Sequence, residues 1–214
     1  KKISRRNSSF NFENNRNKKT EMKIILASKS RVRKKILDKY KIDCEVIVSN
    51  VDEDEVKNSL LDEGADPALV SKNLAEIKSI KVSSKNPDRL VLGADSVISF
   101  NNELINKPRS RDEAFKILKK LNNSKHYLIS SVCISKNGAM VWNHSDSSEL
   151  KMKNFTEKYL KEYLSKISTE TLLAYGVYQI EANGKELFEY IKGDENSIMG
   201  LPIKQIKQYI KNYK

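Results

Sequence analysis

The chain has 214 residues, with 40 Lys and Arg against 28 Asp and Glu, two His, two Cys and 38% apolar residues. That is long enough for one sizeable core and short for two. Two histidines leave no zinc constellation, and no apolar run approaches the ~20 residues of a membrane-crossing helix. The expectation is therefore a soluble cytoplasmic protein with no membrane partner and no leader of the charged, apolar, small-residue kind.

The net charge of +12 is uneven: residues 1–21 carry seven Lys and Arg against Glu13 and Glu21, a local +5 that leaves +7 for the rest. A basic surface suits nucleic acid or phosphorylated ligands. Lysines are spread over solvent-facing helix positions throughout, so a local anion site is expected and a nucleic-acid partner is not. Residues 1–21 are polar, with Ile3, Phe10 and Phe12 as their only large apolar groups, and read as a disordered basic extension. The folded domain is expected over 22–214, with Met22 as a candidate start.

From residue 23 strands alternate with helices. A buried strand is expected at 23–26, then a helix over 31–40 with Val32, Ile36 and Leu37 inward, then a strand at 44–48. A helix over 68–82 has Leu69, Leu74, Ile77 and Ile80 or Val82 as its apolar stripe. Two strands are predicted at 90–92 and 97–100, turning through Asn101-Asn102 into 103–105. Ser110 and Glu113 make a capping box for a helix ending at Leu121. A hairpin joins 127–134 to 139–142 over Lys136-Asn137-Gly138, and Thr156 caps a helix through Leu164. Strands at 177–180 and 186–191 follow. Pro202 opens a terminal helix that packs through Ile203, Ile206 and Ile210. Hairpins together with helix crossovers imply one α/β domain with a mixed parallel and antiparallel sheet flanked by helices. Cys44 and Cys133 sit in strand-like apolar settings and read as buried reduced thiols.

Several residues could carry chemistry. Ser28 and Ser30 lie where a strand runs into a helix, followed by Arg33 and Lys34. Hydroxyls, early helix amides and a guanidinium suit phosphate oxygens, although the same residues fit a Ser-capped helix with a basic exposed face. Glu53, in Val51-Asp52-Glu53, offers a carboxylate after the second strand. Lys78 lies four residues after Leu74 and four before Val82, so it either snorkels outward or points into a site. Asp95, at the expected strand end after Gly93-Ala94, can bind a divalent ion or deprotonate a water. Lys107, held before Pro108, can reach a phosphate. His126, Trp142 and His144 read as structural or surface residues, and Met199-Gly200-Leu201 as an architectural turn. Cations for phosphate with carboxylates for metal or water suggest phosphate-ester hydrolysis.

Taken in order, these stretches resemble the Maf family of nucleoside triphosphate pyrophosphatases over about residues 22–212. The family's opening stretch is matched by Leu26-Ala27-Ser28-Lys29-Ser30-Arg31-Val32-Arg33. Val51-Asp52-Glu53, Leu74-Ala75-Glu76-Ile77-Lys78-Ser79, Gly93-Ala94-Asp95-Ser96, Asn106-Lys107-Pro108 and Met199-Gly200-Leu201-Pro202 follow in the family's order. The resemblance implies a two-lobed fold with a cleft, like that of inosine triphosphatases, and a homodimer. It also implies cleavage of a nucleoside triphosphate between the α and β phosphates with a divalent cation, Mg2+ or Mn2+. Asp95 falls on the family's proton acceptor, Arg33, Lys78 and Lys107 on its phosphate-binding cations, and Glu53, beside Asp95, on its metal-supporting carboxylate. Ser28, Ser30, Val32, Ser96 and Glu181 fall at substrate-binding positions.

Arg31 stands where the family has proline. Val32 replaces the arginine of the branch that prefers thymidine and uridine triphosphates and the tryptophan of the 7-methyl-GTP branch. Ser96 leans to the first branch and Glu181 to the second. A glutamate only accepts hydrogen bonds, which suits the donors of a guanine edge, so the expectation is a relaxed or guanine-leaning enzyme. The competing expectations are a non-catalytic regulator of septum formation acting through its basic surface, and a general nucleotide phosphatase.

Overall fold

Ile24-Ile25-Leu26 form β1, buried at every residue. The computed structural model describes residues 23–180 and 182–213; the basic segment 1–21, the candidate start at Met22 and Glu181 lie outside the described residues. β1 lies between β2 (Cys44–Val46) and β3 (Val91–Phe100), parallel to both. Beyond β3 every pairing is antiparallel, through β5 (Lys125–Lys136), β6 (Ala139–Met152) and β7 (Phe188–Lys192), while β4 (Glu103–Ile105) pairs the far end of β3. The expected mixed α/β sheet is thus a seven-stranded one, ordered β2-β1-β3-β5-β6-β7.

Most helices begin at a side-chain cap. Ser30 Oγ accepts from the Arg33 amide at the start of α1 (Arg31–Lys39), and Asp66 caps α3 (Pro67–Ser83) with Pro67 at its first position. Ser110 caps α4 (Arg111–Leu121), but Glu113 reaches back to the Arg109 amide rather than to that of Ser110, so the capping box closes one residue early. Thr156 caps α5 (Glu157–Ser165) as expected. Pro202 stands at the cap of α8, with the helix proper spanning Ile203–Asn212.

Some expectations change. The segments 90–92 and 97–100 are one continuous strand, because Gly93-Ala94-Asp95-Ser96 stay in register with Cys133-Val132-Ser131-Ser130 of β5. Asp95 therefore sits mid-strand, not at a strand end. Helix α3 buries Val70, Leu74 and Val82 with the small row Ser71, Ala75, Ser79 and Ser83, while Leu69 and Ile77 are 46% and 36% exposed. The small row faces the sheet because β3 comes too close for larger side chains. An ideal Cβ on Gly93 would lie 2.1 Å from the Ala75 carbonyl oxygen and 2.8 Å from the Ser79 nitrogen.

The segment 177–180 is not a strand. It follows α6 (Thr169–Tyr175), which ends at Gly176 with φ +92°, and the Gln179 carbonyl accepts the amides of Ala182 and Gly184 in a turn. Val177 and Tyr178 are buried by packing, not by a ladder. A 3-10 turn over Asn183–Leu187 shortens the following strand at its start. A polar helix with no buried residue, α2 (Glu53–Asp62), was not expected; Asp52 caps it and three acidic residues in its first turn suit the helix dipole. The hairpin is longer than predicted on both arms, and its Asn137-Gly138 pair (φ +53° and +77°) is a type I′ turn that matches strand twist.

Two large clusters make most of the core, with a small third of Ile25, Ala27, Val82 and Val91 where α3 meets β1 and β3. One gathers β1, α1, α8 and the near parts of β3 and β5 around Leu26, Leu37, Leu92, Ile134 and Ile206. The other gathers α4, α5 and α6 against the far ends of β6 and β7 around Leu118, Leu150, Leu160 and Leu172. Cys44 and Cys133 are buried free thiols, both pushed above the usual thiol range by burial. His126 is fully buried in the second cluster, its Nε2 2.9 Å from the Tyr178 hydroxyl and its ring beside Phe188.

Gly93→Ala is expected to lower stability by about 2–3 kcal/mol in urea unfolding, since the obstructing atoms are backbone. Burial pushes the His126 imidazole down from 6.5 to about 4. The unfolded chain therefore takes the proton first, so the His126 contribution is constant above pH 6.5 and lowers stability, by up to about 3 kcal/mol, as pH drops towards 4. Unfolding curves at pH 7, 5.5 and 4.5 should show this slope, and His126→Gln should flatten it.

Candidate active site

The two core clusters are separated by a cleft of about 610 Å3 whose walls come from the β1–α1 turn, α2, α3, β3, the loop after β4, the end of α6 and the turn before α8. Ser28, Ser30, Val32, Arg33, Glu53, Lys78, Asp95, Ser96 and Lys107, all singled out from the sequence, line it, whereas Lys34, read with Arg33 as a phosphate cation, does not and instead pairs with Asp38 one turn along α1. Glu181 lies outside the described residues.

Lys78 points inward. Its Nζ is 2.8 Å from Asp95 Oδ1 and 2.9 Å from Glu53 Oε1, with both the Lys78 and Asp95 side chains buried. Helix α3 carries the ammonium, β3 the first carboxylate and the first residue of α2 the second. Burial by itself raises Glu53, but the Lys78 ammonium, with Lys57 and Lys107 behind it, more than reverses this and holds the carboxyl below its usual 4.5. Asp95 Oδ2 is buried and has no hydrogen-bond partner among the described residues. An ionised oxygen left so is costly unless something else meets it.

Arg33 cross-links the other side. Its Nε donates to the Gly200 carbonyl (2.9 Å), Nη1 to the Ala94 carbonyl (2.9 Å) and Ser28 Oγ (3.2 Å), and Nη2 to Ser96 Oγ (3.2 Å). Four of its five N–H groups are thereby engaged, leaving one for a ligand. Burial pushes its pKa down while Asp95 and Glu53 oppose, and a guanidinium keeps its charge regardless. Ser96 Oγ also lies 2.9 Å from Ser130 Oγ. The Gly200 turn, expected to be architectural, thus helps build the site: its φ of +92° strains any side chain, and an added Cβ would press on Ser96 Oγ at 3.0 Å and Arg33 Nε at 3.3 Å. Lys107 is pushed below the usual lysine range by desolvation in the cleft, with Lys57 and Arg33 adding to this and Glu53 and Asp95 opposing it.

Sequence reasoning missed Lys57, which lines the cleft on the unexpected helix α2, four residues after Glu53. The only signal was the i, i+4 spacing, hidden in a polar segment without apolar periodicity. It also missed Leu173 and Tyr175, which line the cleft at the end of α6 and are exposed.

The family model for Maf-like proteins matches residues 23–213. The chain belongs to the Maf family. Among its relatives, the nucleoside triphosphate pyrophosphatase of Pelagibacter ubique (strain HTCC1062) is 56% identical over 188 residues, covering 88% of this chain and 96% of that protein. The nucleoside triphosphate pyrophosphatase of Paramagnetospirillum magneticum is 36% identical, covering 87% of this chain and 96% of its own length. A protein of Brucella abortus named 7-methyl-GTP pyrophosphatase is 34% identical, with 85% and 92% covered. The Maf resemblance read from six short motifs therefore holds along nearly the whole described chain.

In this Maf protein the carboxylate pair depends on Lys78. Lys78→Met should lower stability by about 3–5 kcal/mol in urea unfolding at pH 7, because the buried Asp95 carboxylate loses the one cation within 4.0 Å of it among the described residues. The folded Glu53 pKa lies below its ordinary value, so the stability of the Glu53 pairing is full above about 4.5 and lost as pH falls through the lower folded value. The gap between variant and wild type should accordingly narrow in acid.

Proposed function

We propose that this Maf protein hydrolyses nucleoside triphosphates to the nucleoside monophosphate and pyrophosphate. The observation that carries this reading is the free, buried Asp95 Oδ2, held in a cleft whose other charged groups are mostly cations. The family membership and the relatives named nucleoside triphosphate pyrophosphatase support it. Lys29, Arg33, Lys57, Lys78 and Lys107 line the cleft against the carboxylates Glu53 and Asp95. A triphosphate carries about four negative charges near neutral pH, its last proton leaving near pH 6, and such a cleft concentrates it.

In this reading Asp95 Oδ2 takes a proton from a water as the water oxygen bonds to α-phosphorus. The bond from α-phosphorus to the bridging oxygen breaks, and its electron pair leaves with pyrophosphate. Lys78 pairs with Asp95 Oδ1 and orients the carboxylate, while Arg33 and Lys107 offset charge on the phosphate oxygens. Ser28 and Ser30 place hydroxyls and early helix amides towards the same phosphates, with Ser96 and Val32 nearer the nucleoside. No covalent enzyme intermediate is needed.

The residues present fit a divalent cation of the Mg2+ or Mn2+ kind. Among the described residues no group of three or more His, Cys, Asp or Glu could hold a metal by itself. Two carboxylates together, one with an unpartnered oxygen, match an ion bound mainly by substrate phosphates and water. Glu53 and Asp95 would hold it, and it would supply neutralisation of phosphate charge.

Substrate choice is proposed to lean to guanine or 7-methyl-GTP, on the carboxylate of Glu181 and on the relative named 7-methyl-GTP pyrophosphatase. A homodimer in the cytoplasm is the accompanying proposal from the family; among the described residues no helix is long and apolar enough to cross a membrane. The regulator reading draws no support from the relatives, whose names describe pyrophosphatases.

Product analysis across a panel of triphosphates, including 7-methyl-GTP, with Mg2+ or Mn2+ tests the reading. Monophosphate plus pyrophosphate is expected, falling about 10²–10⁴-fold in Asp95→Asn. Release of orthophosphate would point instead to a general phosphatase, and no turnover at all to the regulator.

A further inference from the structure

The cations of the cleft are not equally free. Lys78 is held by two carboxylates and Arg33 has one N–H left, so neither has much capacity for a new anion. Lys57 is different. Its side chain lines the cleft and is only 15% exposed. Its one acidic neighbour within 4.0 Å among the described residues is Asp54, at that limit. Asp54 is 71% exposed and stands at 4.0 Å from Arg109 as well, so this contact is worth little.

Glu53, one helical turn before Lys57, would be its natural partner. Its Oε1 is taken by Lys78 at 2.9 Å, and no Lys57–Glu53 pair forms within 4.0 Å. Lys57 is close enough to act on its neighbours all the same, lowering both Glu53 and Lys107. Among the described residues Lys107 has no carboxylate within 4.0 Å. Two ammonium groups facing one cleft repel each other, an arrangement that an anion with several oxygens relieves.

We propose that Lys57 binds the departing pyrophosphate, forming with Lys107 a two-ammonium clamp on the β and γ phosphates. This deepens the pyrophosphatase reading and rests on it. The clamp divides the site: Asp95, Lys78 and Glu53 serve α-phosphorus and the water, while Lys57 and Lys107 receive the charge that moves onto the leaving group as the bond breaks. It gives helix α2, which buries no residue of its own, a role as the carrier of Glu53 and Lys57 on one face.

The test is titration of inorganic pyrophosphate, and separately of a nucleoside monophosphate, into wild type and variants with Mg2+ present. Lys57→Gln should weaken pyrophosphate binding about tenfold while monophosphate binding stays within about twofold, and Lys57→Arg should recover most of the loss. Unchanged pyrophosphate affinity would overturn the proposal, and so would an equal loss for both ligands, since that marks a structural role. If Lys57→Gln fails to fold, Asp54→Asn carries the test. Removing that partial counter-charge should tighten pyrophosphate binding about twofold, and no tightening would overturn the clamp. Wild type that binds no pyrophosphate and releases orthophosphate from triphosphates would instead remove the underlying reading, and the clamp with it.

Discussion

The close approach of helix α3 to strand β3 is the constraint on which the site depends. Gly93 lacks the Cβ that would strike the Ala75 carbonyl, and the helix presents Ser71, Ala75, Ser79 and Ser83 to the sheet. Hydroxyls in this seam pair across it, as Ser79 Oγ does with Ser135 Oγ at 2.7 Å, so polar atoms buried by close packing are satisfied. With the helix backbone that near, Lys78 reaches Asp95 at 2.8 Å. A larger residue at position 93 would move the ammonium away from the carboxylate it neutralises. Packing and electrostatics are here one problem.

A second cross-link closes the opposite wall. Arg33 joins the start of α1 to the middle of β3 and to the turn before α8 through three hydrogen bonds, with a fourth to Ser28 in its own turn. Such bidentate geometry suits guanidinium and not ammonium. Between Arg33 and Lys78 the Ala94-Asp95-Ser96 stretch is held from both sides while its strand pairing continues unbroken. A mid-strand position suits the proposed role of Asp95 better than a loop would, because the ladder fixes the backbone while one carboxylate oxygen stays unpartnered among the described residues. The long strands β3 and β5 run through both core clusters, so the cleft between the clusters has a continuous sheet as its floor.

Much of this was legible in the chain. Strong caps at Ser30, Ser110 and Thr156 and apolar strands such as Ile24-Ile25-Leu26 carry short-range signals that survive any packing. Where the reading failed, the signal was missing or misleading. Helix α2 has no apolar face to show a period, and Leu69 and Ile77 suggested a buried stripe that the small residues of α3 occupy instead. Asp95 was read as ending a strand after Gly93-Ala94, whereas the strand runs on through all three and the glycine admits a helix pressed against it. Val177-Tyr178 had strand composition, yet their burial comes from the second cluster and not from a ladder.

The sequence by itself determined the alternation of strands and helices, the family, and the residue types of the site, because caps, periodicity and motifs act over a few neighbouring positions. Only the tertiary structure decided which groups meet. Lys78 could have snorkelled outward on its own helix; it meets Asp95 across 17 residues and Glu53 from another element. Arg33 finds the Gly200 carbonyl across 167 residues. Contacts at such separations depend on how close two backbones can come, and no local pattern records that distance.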